Sequence, residues 1–381
     1  MTTRSRGLAA VMICGVALPA GAQITPTLND VKYATVLRDD GVAMPVFLDL
    51  YAPSTPGGPA PLLIWVHGGG WQGGTHNNVP SAALALRSNG FAIASVEYRL
   101  SGEAIFPAQI HDVKGAVRFL RANAATFNLD PDRFGAWGSS AGGHLVALLG
   151  TSGGVAAAEG ATGGNTGVSS RVQVVVDYFG PTDLLRMNLD VTTPPGSTID
   201  HDSPASPESH LIGFDDPGQG VGVLRANQSN PNPPFPQLIA LITLANPVAH
   251  AGAGDPPTFI AHGEIDTLVP IRQSERLFDA LAAAGVEAPF VRVPGAGHGG
   301  LGASTDAAAQ LFIRKHLSRA GDMNCDGRID NFDVDPFVLA LVQPAAYAAS
   351  QPNCRRRNAD VNQDGAVDNF DIDAFVAVLV E

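Results

Sequence analysis

The sequence predicts an α/β chain: a mainly parallel sheet covered by helices on both faces, followed by a small helical module built on two acidic loops. Three observations predict it. Short continuous apolar runs alternate with segments of helical periodicity over residues 61–317, the pattern of strands buried on both faces and the crossovers that join them. One junction, residues 133–150 (RFGAWGSSAGGHLVALLG), reads as strand, sharp turn and helix centred on Ser140. Beyond Ala320 the composition turns abruptly to Asp and Asn, and one loop pattern occurs twice.

Length and charge set the bounds. A chain of 381 residues can bury a large core and hold one big domain plus a smaller one. Its formal net charge of −13 argues against nucleic acid or an anionic membrane as partner, since either requires a basic face. Residues 1–22 read as a secretory signal: Arg4 and Arg6, an apolar run, then Ala20-Gly21-Ala22, with Gln23 beginning the mature chain. The run is too short to span a bilayer, so a secreted, periplasmic or cell-surface protein without a membrane span is expected. Removal of Cys14 with the signal leaves Cys325 and Cys354, which suggests one disulfide.

The elements follow in order. Alternating apolar residues over 31–51 predict an opening hairpin that turns near Asp39-Asp40-Gly41. Residues 62–66 form a buried strand that ends on His67-Gly68-Gly69-Gly70-Trp71. A helix is expected over 81–89, a strand over 91–96 and a helix over 110–125. After the Ser140 turn come strands at 172–179, 258–262 and 290–293 and helices at 274–284 and 307–317. The catalytic domain is placed at 23–319. An insert at about 184–247, rich in Pro, Ser and Asn and expected to be irregular around 229–236, interrupts it. Its position between two strands predicts a cap over the reactive edge of the sheet.

Gly138-Ser139-Ser140-Ala141-Gly142 has a steric logic. A serine at the tip of so tight a turn needs neighbours without a bulky Cβ, and the turn lifts its hydroxyl onto a helix N-terminus. Ser140 is the candidate nucleophile. Such a hydroxyl needs a base, and the base needs a carboxylate to fix its tautomer. In this architecture the chain order is Ser, acid, His. Asp266 in HGEIDTLVP and His298 in PGAGHGG each follow a late strand and supply that order; Glu264 is the rival acid. Backbone N–H groups of Gly68, Gly69 and Ala141 are the expected oxyanion donors.

With these motifs in place the chain resembles the α/β-hydrolases of the HGGG type, the group that holds hormone-sensitive-lipase-like carboxylesterases. IWVHGGGW, SVEYRLSGEAIFPAQIHDVKGAVRFLRANA, WGSSAGGHL and HGEIDTLVP make it most similar to the feruloyl and acetylxylan esterase branch. The resemblance implies Ser140 as nucleophile, Asp266 as acid, His298 as base, and no cofactor for catalysis. Kynurenine formamidases and broad carboxylesterases share much of the pattern.

In the module at 321–381, Asp322, Asn324, Asp326, Asp330 and Asp333 repeat as Asp360, Asn362, Asp364, Asp368 and Asp371. Oxygen donors at loop positions 1, 3, 5, 9 and 12, with Gly327 and Gly365 at position 6, suit an about seven-coordinate Ca²⁺, and Arg328 and Ala366 would add carbonyls. Two calcium ions are expected. Apolar helical segments follow at 334–342 and 372–380. The pair resembles a type I dockerin, which implies a cohesin-like scaffold partner. The residues at positions 10 and 11, Asn331-Phe332 and Asn369-Phe370, depart from the small hydroxyl pairs familiar in that family. A disulfide between Cys325 and Cys354 would brace the two loops.

These readings converge on a secreted serine esterase acting on acetyl or feruloyl esters of plant or algal polysaccharide. The alternatives are a broad short-chain carboxylesterase or lipase-like enzyme, an arylformamidase-like hydrolase, and a non-catalytic binding protein on a relict hydrolase fold.

Overall fold

Strands form where apolar runs let the chain bury both faces, and one such run lies at the centre of the sheet. The computed structural model describes residues 24–54, 59–317, 320–324, 329–352 and 354–380; the leader expected at 1–22 lies outside them. In chain order the elements are β1 (Leu28–Leu37), β2 (Ala43–Tyr51), β3 (Ala60–Val66), α1 (Ser81–Ala85), β4 (Ala92–Val96), α2 (Ala108–Ala122), α3 (Ala124–Phe127), β5 (Leu129–Ser139), α4 (Ala141–Thr151), α5 (Ala156–Glu159), β6 (Val174–Tyr178), α6 (Pro207–Ile212), α7 (Val221–Ala226), α8 (Phe235–Ala245), β7 (Thr258–Gly263), α9 (Arg272–Ala283), β8 (Phe290–Val293) and α10 (Ala303–Leu317). A C-terminal unit adds α11 (Val334–Val342), α12 (Pro344–Ser350) and α13 (Asp371–Val380).

The strands make one eight-stranded sheet in the order β1-β2-β4-β3-β5-β6-β7-β8. The β1–β2 hairpin and the β2–β4 pair are antiparallel, and all other pairs are parallel. This is the mainly parallel sheet of an α/β-hydrolase. Every residue of β3 is buried. Leu62, Ile64 and Val66 face the layer containing α2 and α4, while Leu63 and Trp65 face the layer with α1 and α10. A side chain so enclosed contributes about 1.5–3 kcal/mol. The order also fixes the site, because β5, β6, β7 and β8 lie side by side and release their C-terminal loops along one edge.

The insert differs from expectation. It is folded into α6, α7 and α8, and α8 begins at Phe235, inside the stretch expected to be irregular. Ser206 caps α6 by accepting the Ser209 N–H at 3.1 Å, and Gly213 ends it in the left-handed conformation. Ile242 and Ala245 of α8 are fully buried in the main core. Packing, not helix propensity, folds this segment.

In the C-terminal unit, Phe337 and Phe375 occupy the same position of the two repeats and stack with ring centroids 3.9 Å apart. Helix α12 was not anticipated; its Tyr347 is buried and donates to the Met323 carbonyl at 3.0 Å. Arg314 of α10 donates to the Gln363 carbonyl at 2.6 Å, linking this unit to the sheet domain. Among the described residues no helix is long and apolar enough to cross a membrane.

Candidate active site

Ser140 stands between β5 and α4 with φ 56° and ψ −124°, a conformation that non-glycine residues rarely hold. Its N–H donates to the Tyr178 carbonyl at 2.9 Å, and glycines make room around it. A Cβ on Gly138 would overlap the Gly142 carbonyl, and one on Gly142 would overlap the Val66 carbonyl. The turn therefore wedges β3, β5 and α4 together at backbone contact, with the serine hydroxyl projecting from the wedge.

The three sequence-predicted residues meet there. His298 Nε2 lies 2.9 Å from Ser140 Oγ, and His298 Nδ1 lies 2.8 Å from Asp266 Oδ2. Asp266 is buried, and its Oδ1 accepts the N–H groups of Leu268 at 2.8 Å and Val269 at 3.0 Å. Burial opposes its ionisation, but hydrogen bonds from His262 and His298 and the charge they can carry hold it well below the usual carboxylate range. An ionised Asp266 fixes the Nδ1–H tautomer of His298, which leaves Nε2 free to take the serine proton. The Phe179 ring lies 4.6 Å from the imidazole and limits its swing. The rival acid Glu264 is exposed.

The glycine loop after β3 arrives on the other side of the serine. A Cβ on Gly68 would stand 2.7 Å from Ser139 O and 3.2 Å from Ser140 Cβ, so only glycine lets this backbone come so close. Gly69 holds φ +116°. Ala141 begins α4, where the first N–H groups have no partner within the helix. The arrangement suits amide donors to a developing oxyanion, each worth about 3 kcal/mol in the transition state. His67 stacks on Tyr98 at 4.4 Å and accepts Tyr98 OH on its carbonyl at 3.0 Å. Burial pulls its pKa down to about 4, so it stays a neutral brace of the loop.

A cavity of about 710 Å³ opens over Ser140 and His298, with Gly68 and Gly69 in its wall. From the insert, His201, Pro207 and Glu208 close the facing side. Three contributors escaped the sequence reading. His262 Nε2 sits 3.2 Å from Asp266 Oδ2, a second imidazole on the same carboxylate; its spacing from Asp266 was visible, but a buried strand end gave no reason to turn it that way. His201 and Glu208 pair at 2.9 Å inside the insert; the insert was expected to cap the site, but nothing in the sequence singled out these two. Elsewhere, His144 is structural: its Nε2 lies 2.7 Å from the Ala245 carbonyl and its Nδ1 accepts the Trp71 indole N–H at 3.2 Å.

The described parts of the two acidic loops share hydrogen bonds at their closing positions. Asp330 N–H donates to Asp333 Oδ2 at 2.8 Å, and Asp368 N–H to Asp371 Oδ2 at 3.0 Å. Asn324 and Asn362 donate backbone N–H groups to the other oxygen of the same two carboxylates at 3.0 and 3.1 Å. The donor set is all oxygen and fits calcium. Among the described residues the carboxylates of the second loop do not converge as closely as an ion would draw them. Cys325, Asp326 and Arg328 lie outside the described residues; Cys354 is disulfide-bonded.

The chain is similar to known esterases. The BD-FAE family matches residues 48–281, a span that holds Ser140 and Asp266 and stops short of His298. Esterase LipC of Mycobacterium tuberculosis is 29% identical over 276 residues, 70% of this chain and 61% of LipC. The chain thus spans less than two thirds of that relative's length. A solved structure described as a truncated carbohydrate esterase from gut microbiota is 31% identical with a TM-score of 0.62, covering 76% of this chain and 95% of that one. A bifunctional GH43-CE protein of Bacteroides eggerthii is 33% identical with a TM-score of 0.63, covering 76% of this chain and 35% of its own.

Proposed function

The chain belongs to the BD-FAE family, and from that membership we propose that it is a secreted serine esterase that removes acetyl or feruloyl groups from plant or algal polysaccharide. One observation carries the reaction type: the unbroken contact from Ser140 Oγ to His298 Nε2 at 2.9 Å and from His298 Nδ1 to Asp266 Oδ2 at 2.8 Å, beside a glycine loop at backbone contact. His298 takes the hydroxyl proton as Ser140 Oγ adds to the ester carbonyl. The amides of Gly68, Gly69 and Ala141 receive the oxyanion. His298 then returns the proton to the departing alcohol, and water releases the acyl group by the same steps in reverse. The polymeric substrate is supported by likeness to the two carbohydrate esterase structures and by the dockerin-like unit. The competing reading is a short-chain carboxylesterase; likeness to Esterase LipC supports ester hydrolysis without choosing between the two.

The C-terminal unit is read as a two-calcium docking module for a cohesin-like scaffold. Phe332 and Phe370, at position 11 of each loop, are 77% and 79% exposed, so the partner would offer apolar pockets rather than hydroxyl-reading ones.

Replacing Ser140 with Ala is expected to lower kcat by about 10⁴-fold or more with an unchanged thermal midpoint. Rates on acetylated and feruloylated xylan are compared with p-nitrophenyl esters of the same acyl groups. Turnover of the small esters alone would exclude the polysaccharide, and an active Ser140→Ala enzyme would exclude the mechanism.

A further inference from the structure

Away from the catalytic residues, three side chains converge behind the oxyanion loop. His76 lies in the segment between β3 and α1 that also carries Gly68 and Gly69. Its Nε2 is 3.0 Å from Asp30 Oδ1 and 3.7 Å from Asp49 Oδ1. The ligand atoms of Asp30, Asp49 and His76 all lie within 4.8 Å of one another, the one such convergence of three metal-ligating side chains among the described residues. Asp30 reaches the group through a register shift between Leu28 and Val31, where it takes φ 50°; such irregularities re-aim a side chain.

The surroundings point to a cation. Asp49 is 1% exposed and His76 5% exposed, and among the described residues the ion pairs of Asp30, Asp49 and Glu97 run to His76 alone. Three carboxylates thus face one imidazole with no lysine or arginine. The second nitrogen, His76 Nδ1, is buried without a hydrogen-bond partner, and its nearest acidic atom is Glu97 Oε1 at 3.9 Å. If Nε2 carried the proton for Asp30, Nδ1 would be a buried acceptor facing a carboxylate. A metal on Nε2 reverses this, placing the proton on Nδ1 toward Glu97, the outer carboxylate that metal-bound histidines commonly have.

We propose that Asp30, Asp49 and His76 bind one divalent zinc-class ion, with Glu97 orienting the imidazole. Donors at zinc distances of about 2.0–2.2 Å stand roughly 3.3–3.6 Å apart in a tetrahedron, and the observed separations of 3.0 and 3.7 Å bracket that edge. One imidazole and two carboxylates leave a fourth position for water. Imidazole favours zinc over calcium, which requires six to eight oxygens. The ion would tie the segment after β3 to the β1–β2 hairpin. Thr75 and Asn78, on either side of His76-Asn77, line the catalytic cavity, so the tie steadies the oxyanion loop without touching substrate.

The test counts metal on the full mature chain. After chelation and dialysis the protein is equilibrated with buffered Zn²⁺ in saturating Ca²⁺, which occupies any oxygen-only site, and bound zinc is measured by mass spectrometry. One zinc per chain is expected, with affinity at least tenfold weaker in Asp30→Asn and in His76→Gln, and about 10–100-fold weaker in Glu97→Gln. Asp30 has a half-exposed side chain, so its variant folds whatever becomes of the others. Zinc should raise the thermal midpoint of the parent and leave that of Asp30→Asn unmoved. Co²⁺ in place of zinc should give the intense visible bands of a tetrahedral site. A parent that retains no zinc, or zinc retained equally by Asp30→Asn and His76→Gln, overturns the site and leaves a histidine–carboxylate contact.

Discussion

Asp177 ends the apolar run of β6 beneath the nucleophile turn, fully buried. Its Oδ1 accepts the Gly180 N–H at 2.9 Å, while Oδ2 has no partner. Burial pushes its pKa up to about 7. His67 and His144 are displaced the other way, each pulled by burial down to about 4. The signs oppose one another. A histidine lowered from about 6.5 makes its full contribution above 6.5 and loses it as pH falls toward 4. A carboxyl raised from about 3.8 makes its full contribution below 3.8 and loses it as pH rises through 7, a destabilisation on the order of 4 kcal/mol once ionised. Between pH 4 and 6.5 the two histidines outweigh the one carboxyl, so on their account the parent's stability should rise with pH by on the order of 1 kcal/mol per unit. Asp177→Asn keeps the acceptor for Gly180 and removes one side of the balance. Urea midpoints of that variant should climb more steeply than the parent's from pH 4.5 to about 6.5 and then level, with its largest gain over the parent at the alkaline end; a constant difference across the range would show that Asp177 is ionised throughout.

At the scale of elements, the site depends on how closely β3, β5 and α4 approach. Gly142 in the first turn of α4 faces the Val66 and His67 carbonyls, and the absent side chain is what lets the helix dock there. Gly142→Ala forces backbone apart and should cost about 3 kcal/mol or more, at the upper end for point changes. Gly102→Ala, where a Cβ meets nothing within 4 Å, should be near neutral; thermal melts of the pair separate a steric wedge from a general intolerance of alanine. The same closeness explains what the sequence revealed. Ser140, Asp266 and His298 were legible because chemistry fixes their order and strand ends fix their place, and β3 was legible because burial on both faces leaves an unbroken apolar run. Helices α6 and α7 were not, since helices of six residues draw stability from packing partners rather than local propensity. His262 and Asp30 were missed for a related reason: only the folded chain turns each side chain toward its partners.

For the molecule as a whole, the two units take their order from different sources. The sheet domain has a core on each face, whereas among its described residues the C-terminal unit buries a short set around Phe337, Tyr347 and Phe375, little for a unit of its size. A staple is the usual remedy, and the duplicated loops are placed to supply one: Asp333 and Asp371 are fully buried at their closing positions. The duplication itself was legible from spacing, while the stack of Phe337 on Phe375 required the fold. If calcium is the staple, calorimetric titration of the calcium-depleted chain should show two sites. Asp364→Ala alters an exposed position-5 carboxylate whose hydrogen bonds stay within its own loop, so it should reduce the count to one and expose the unit to protease. Ester hydrolysis should continue at the parent's rate, because the sheet domain carries the reaction. Absence of calcium heat in the parent would leave the stacked rings and the disulfide at Cys354 to hold the unit alone, and Asp364→Ala would then change neither heat nor proteolysis.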